Sequence, residues 1–196
     1  MGGIILKSTI SRGKLYYLSI LTGLFFILIL FPSCEAHVVI IADGDGTCPD
    51  MMEEAQNTAD TLNENGYEVL ELYQENATTK NIAKGMYNAD AVIYLGHGGY
   101  MAGHYDGNGG TATPPFAMVG SDGFLWGIDD KMREGWDGEL FTAPYKSDIP
   151  VILCHACFST GYVESEEVAN PIETIYNFSR MFTAAGGNYY ATDYYA

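Results

Sequence analysis

Residues 89–99 read ADAVIYLGHGG, and residues 149–159 read IPVILCHACFS. Each is a short apolar, β-branched run that stops abruptly, the first at Gly96-His97-Gly98-Gly99 and the second at Cys154-His155-Ala156-Cys157. Runs of this length bounded by turn-forming residues predict buried strands. A third such run, HVVIIA at 37–42, breaks at Asp43-Gly44-Asp45-Gly46.

Between these runs the pattern changes period. Residues 49–65 contain good helix formers, with Asp50, Glu53 and Glu54 near the start and Gly66 as a stop, which predicts a helix. Residues 67–73 (YEVLELY) alternate as a strand, and residues 78–87 form a second predicted helix with Thr78 or Thr79 as its cap. A third helix is expected over about 170–184, with Pro171 in its first turn, and a last strand over 189–192. Alternating strands and helices predict an α/β fold, a doubly wound, mostly parallel sheet of about five strands with helices on both faces. Residues 100–147 are rich in glycine, proline and aromatics and read as an insertion of surface loops and a hairpin. That is too long for an ordinary connection, and long insertions tend to build pocket walls.

The first 36 residues belong to a different regime. Lys7, Arg12 and Lys14 precede an uncharged apolar run from Leu15 to Phe31, followed by Cys34-Glu35-Ala36. This is a targeting segment: either a signal peptide cut after Ala36 or a retained N-terminal membrane anchor. Both put residues 37–196 outside the cytoplasm, secreted or held at the cell surface. The sequons at Asn76 and Asn177 are compatible with export. A lipoprotein reading at Cys34 is disfavoured by Phe31-Pro32-Ser33 before it.

The whole chain carries a formal charge of −16. Residues 37–196 hold 6 basic and 24 acidic residues, a formal charge of −18. Such a surface makes nucleic acid a poor partner and confines membrane contact to the N-terminal segment. Only Cys48, Cys154 and Cys157 follow residue 36. An odd number of cysteines in an exported chain argues for a free thiol over a disulfide scaffold, although a Cys48–Cys154 pair remains open.

In open parallel sheets the ligand crevice lies beyond the carboxyl ends of the strands. Asp43 to Gly46, Gly96 to Gly99 and Cys154 to Ser159 all fall there. If the third and fourth parallel strands are neighbours, His97 faces Cys157. An imidazole beside a thiol can take its proton and generate the nucleophilic thiolate. The Gly98 and Cys157 backbone amides are placed as oxyanion donors, each typically worth about 3 kcal/mol. These parts compose an acyl-transfer site.

An apolar strand ending in His-Gly (VIYLGHG) followed by one ending in Ala-Cys (VILCHAC) resembles the caspase-like cysteine peptidases, which include caspases, legumains, gingipains and clostripain-like enzymes. The resemblance implies a caspase-haemoglobinase-like fold across most of residues 37–196. It also implies an endopeptidase acting on a protein or peptide substrate, with His97 as general acid/base and Cys157 as nucleophile. In some members a residue after the first strand orients the histidine, the place held here by Asp45 or Asp43. Family domains usually continue through a sixth strand, which this sequence does not reach.

Other readings stand beside these. Asp43 and Asp45 suit turn formation as well as calcium coordination, but peptidase chemistry of this kind needs no cofactor. Cys154-His155-Ala156-Cys157 resembles half of a zinc site, without a second ligand cluster, and Cys-x-x-Cys also suits thiol redox chemistry. Asp122, Asp129, Asp130 and Asp193 are candidates to bind a basic substrate side chain, or are solvated loop charges. The alternative function is a catalytically inactive binding or adhesion module on the same fold, using the 15 tyrosines.

Overall fold

The computed structural model describes residues 36–128, 131–135, 138–141, 148–164 and 166–192. Residues 1–35, which include nearly all of the segment read as targeting, therefore lie outside the described residues, as do Asp129, Asp130 and Asp193. No helix among the described residues is long and apolar enough to cross a membrane.

In chain order the elements are β1 (His37–Ala42), α1 (Pro49–Glu64), β2 (Glu68–Tyr73), α2 (Thr79–Asn88), β3 (Ala91–Leu95), β4 (Gly98–Tyr100), β5 (Phe116–Gly120), β6 (Gly123–Ile128), β7 (Lys131–Glu134), β8 (Leu140–Phe141), β9 (Ile149–Cys154), β10 (Tyr162–Val163), β11 (Glu166–Glu167), α3 (Pro171–Thr183) and β12 (Gly187–Thr192). Five of the strands form one sheet in the order β12-β9-β3-β1-β2, with every neighbouring pair parallel. Counted within that sheet the order is 2-1-3-4-5, so the chain reverses its direction of winding between β1 and β3.

The side chains of β1 explain why both faces need helices. Val38, Ile40 and Ala42 point one way and pack with Ala55 and Ala59 of α1. Val39 and Ile41 point the other way, into a larger core with Ile82 and Met86 of α2 and Phe178 and Phe182 of α3. Ile40 and Ile41 are completely buried, and each such side chain contributes about 1.5–3 kcal/mol relative to exposure. The sheet is thus doubly wound, with α1 on one face and α2 and α3 on the other. Local signals set the helix starts: Pro49 and Pro171 occupy the first turns of α1 and α3, and the Thr78 hydroxyl accepts from the Asn81 amide at the start of α2.

The insertion differs from the loops expected of it. Residues 98–141 carry a second, antiparallel five-stranded sheet ordered β4-β5-β6-β7-β8. The reason is burial: Phe116, Met118 and Leu125 join the main core, and the two-residue turn Ser121-Asp122 between the paired Gly120 and Gly123 closes a tight β5–β6 hairpin. Some of the insertion's glycines serve close packing, since a Cβ at Gly99 or Gly120 would meet Phe124 at 2.8 Å or the Ala77 carbonyl at 2.7 Å, while Gly103, Gly107 and Gly123 take positive φ in open space.

Candidate active site

Three loops meet beyond the carboxyl ends of β1, β3 and β9, at the place where the winding reverses. They enclose a cavity of about 520 Å3 lined by Thr47, Cys48, His97, His155 and Cys157, with Asp50, Glu54 and Glu164 also on its wall.

The loop after β1 is organised by Asp43, which is buried and left-handed (φ 44°). Its amide donates to the Leu95 carbonyl at 3.1 Å, extending the β1–β3 pairing, and its carboxylate accepts from the Cys48 amide at 2.7 Å and from the Gln74 side chain at 3.4 Å. Asp43 thereby fixes Cys48 at the entry to α1 and does not reach the histidine.

His97 follows β3. Its Nε2 lies 3.0 Å from Cys48 Sγ and 3.1 Å from Thr47 Oγ1. Asp45 accepts from Thr47, from the amide at 3.2 Å and from the hydroxyl at 2.8 Å. Asp45 does not bond the imidazole directly: its carboxylate holds the threonine, and the threonine meets the imidazole. Because the single Thr47 hydroxyl proton goes to Asp45, Thr47 can face Nε2 only as an acceptor, so it stabilises a proton on that nitrogen once one is there. Cys48 shares that nitrogen with Thr47.

From beneath, the Tyr94 hydroxyl donates to the His97 carbonyl at 2.7 Å and accepts from the Val119 amide at 2.9 Å. It thereby ties the histidine loop to β5 of the second sheet. Burial pushes the Tyr94 phenol up, against the opposing pull of the Val119 backbone. Asp45, Cys157 and Cys48 add to the upward direction. Tyr94 is consequently a neutral hydrogen-bond bridge.

Cys157 follows β9 in a turn with unusual backbone. His155 (φ 63°) and Phe158 (φ 70°) both occupy the left-handed region, uncommon for bulky side chains and costing about 1–3 kcal/mol each. The surroundings hold them there. Phe158 is buried against Tyr100, Tyr105 and Phe116, and its amide donates to the Tyr162 carbonyl at 2.6 Å. The Tyr189 hydroxyl donates to the Ser159 carbonyl at 2.6 Å. His155 Nε2 stands 3.2 Å from Glu54 Oε2.

Gly98 brings the two loops together. A Cβ on this residue would overlap the Cys157 carbonyl oxygen and lie 2.8 Å from its carbonyl carbon and 2.9 Å from its amide nitrogen. The backbones of the two residues expected to supply oxyanion donors are thus in direct contact, and only glycine fits.

Among the other expected residues, Asp122 does not line the cavity. Its carboxylate accepts from the Thr79 amide at 2.7 Å and the Thr79 hydroxyl at 3.3 Å, at the N-terminus of α2. It is a helix-terminal anchor, because the β5–β6 turn carries it there. Cys154 packs against the α1-side core; burial pushes its thiol up, with a Thr192 hydrogen bond opposing. No disulfide joins Cys48, Cys154 and Cys157 to one another, so the Cys48–Cys154 pair is not formed. Among the described residues no group of three or more His, Cys, Asp or Glu side chains is arranged to hold a metal ion.

The sequence reading missed Thr47, Cys48, Tyr94 and His155 as parts of this site. Cys48 and Thr47 carried a signal, since they follow the same acidic turn as Asp45. Tyr94 sits inside an apolar run, where an aromatic reads as core. Comparison with protein-family models, curated proteins and solved structures finds no match.

Proposed function

We propose that this chain is an extracytoplasmic cysteine endopeptidase of caspase-like type, hydrolysing peptide bonds through a Cys157 thioester with His97 as general acid/base. The observation that carries the reading is the Gly98–Cys157 backbone contact, which sets the histidine loop against the thiol loop on the wall of one cavity.

In this mechanism Cys157 Sγ attacks the substrate carbonyl carbon while its proton passes to His97. The carbonyl oxygen gains negative charge, and the Gly98 and Cys157 amides are the donors proposed to meet it. As the carbon–nitrogen bond breaks, His97 returns the proton to the leaving amine. It then takes a proton from the water that hydrolyses the thioester. The Asp45–Thr47 link and the Tyr94 bridge hold the imidazole loop through this cycle.

The test is mass spectrometry of the full chain after exposure to acyloxymethyl ketone peptides bearing Arg, Lys, Asp or Asn at P1. Modification of Cys157 that is lost in His97→Ala is the expected result and identifies the P1 class. Modification of Cys48 in its place would move the nucleophile to the other loop. A folded chain with no labelling would favour the inactive binding module.

A further inference from the structure

The peptidase reading leaves one close contact unused, the 3.0 Å approach of Cys48 Sγ to His97 Nε2. Cys48 is partly exposed and lies on the cavity wall. It has what a nucleophilic thiol needs: a proton acceptor at hydrogen-bonding distance, a carboxylate-anchored hydroxyl on the same ring nitrogen, and open space for a reagent.

We propose that Cys48 is a thiol–disulfide exchange site of this protein, with His97 as its base and small cationic disulfides as its preferred reagents. The Cys48 proton passes to the unprotonated Nε2 of His97, where the Thr47 oxygen accepts a hydrogen bond from it, and Sγ attacks one sulfur of the disulfide. The sulfur–sulfur bond breaks and the second sulfur leaves as a thiolate, which takes up the proton. One thiol and one disulfide give one mixed disulfide and one small thiol, with no external oxidant.

The charge preference follows from the wall. Asp50, Glu54 and Glu164 line the cavity, and the chain as a whole is strongly acidic. Walls of one sign concentrate reagents of the opposite sign and repel like charges. Cys154 lacks these advantages, since it packs against the core and does not line the cavity.

The mixed disulfide would stand in the same cavity as Cys157, so exchange at Cys48 would obstruct any chemistry there and reductant would restore it. That consequence rests on the proposed peptidase function; the exchange reaction does not.

The experiment treats the reduced, full-length chain with cystamine or, separately, glutathione disulfide, quenches with acid at timed intervals and locates each adduct by tandem mass spectrometry of the digest. In the unmutated chain Cys48 is expected to react about tenfold or more ahead of Cys154 and Cys157. Cystamine should outpace the anionic glutathione disulfide by about tenfold or more. His97→Gln should slow Cys48 by about 100-fold, as expected for loss of a general base. Cys154 or Cys157 reacting first in the unmutated chain would overturn the proposal, and that comparison needs no variant. So would a His97→Gln chain, folded by circular dichroism, whose Cys48 rate stays within about twofold of the original. Because the reagents differ, absence of ketone labelling at Cys157 together with fast exchange at Cys48 would separate the two readings.

Discussion

Replacing Gly98 with alanine adds one methyl group at the point where the histidine loop touches the cysteine loop. The new Cβ would lie 2.8 Å from the Cys157 carbonyl carbon, whereas ordinary contact begins at 3.4 Å. Relief therefore needs about 0.6 Å of backbone movement for that atom and more for the overlapping carbonyl oxygen. Backbone on both sides resists, because Tyr94 holds the His97 carbonyl and the Phe158 amide is bonded to Tyr162. Overpacking of this kind costs about 1–3 kcal/mol of stability. Displacement of catalytic groups by about 1 Å costs on the order of 100-fold in rate. Gly99→Ala supplies the comparison, since its Cβ would meet Phe124 ring atoms at 2.8 Å, and Phe124 is 41% exposed and free to swing outward. Thermal melts and the rate of Cys157 modification by the reactive peptide ketone report the two effects. Gly98→Ala should lower both markedly and Gly99→Ala only slightly. A Gly98→Ala chain with unchanged melting and a labelling rate within about twofold of the original would refute the claim that this contact positions the thiol.

Tyr94 gives a prediction in pH. Burial raises its folded-state pKa above the ordinary value of about 10, so the unfolded chain loses the phenol proton first. The stability it confers is intact below pH 10 and declines as pH rises above that, by about 1.4 kcal/mol per pH unit from this group. Tyr94→Phe should flatten that decline in chemical-denaturation curves above pH 10, while lowering stability at neutral pH by about 1–3 kcal/mol through the unpaired Val119 amide and His97 carbonyl. Asp43→Ala should destabilise by about 1.5–3 kcal/mol, since the buried carboxylate accepts from the Cys48 amide, and should slow the reaction of Cys48 with cystamine; a melting temperature equal to that of the parent would count against the role assigned to Asp43.

How much of this was legible beforehand varies along the chain. VIYL and IPVIL were readable as strands because their signal is local, a run of β-branched residues ended by glycine or by Cys-His. The antiparallel sheet was not, because its strands are short and glycine-rich and are stabilised by Phe116, Met118 and Leu125 entering a core made elsewhere. Asp122 looked like a free loop acid until the β5–β6 turn placed it on Thr79, 43 residues away.

By itself, the sequence determined the alternation of strand and helix, the parallel sheet, and the location of His97 and Cys157 at strand ends, since hydrophobic period and turn chemistry act over a few residues. Only the tertiary structure decided which side chains meet. The strand order β9-β3-β1 sets the loops after all three side by side, and it brings Cys48 to His97 across 49 residues of sequence. It also gives the Asp45 carboxylate to Thr47, and not to the imidazole. Such contacts depend on loop geometry at the scale of one or two ångströms, which no local pattern encodes, because that geometry is fixed by packing between segments distant in the chain.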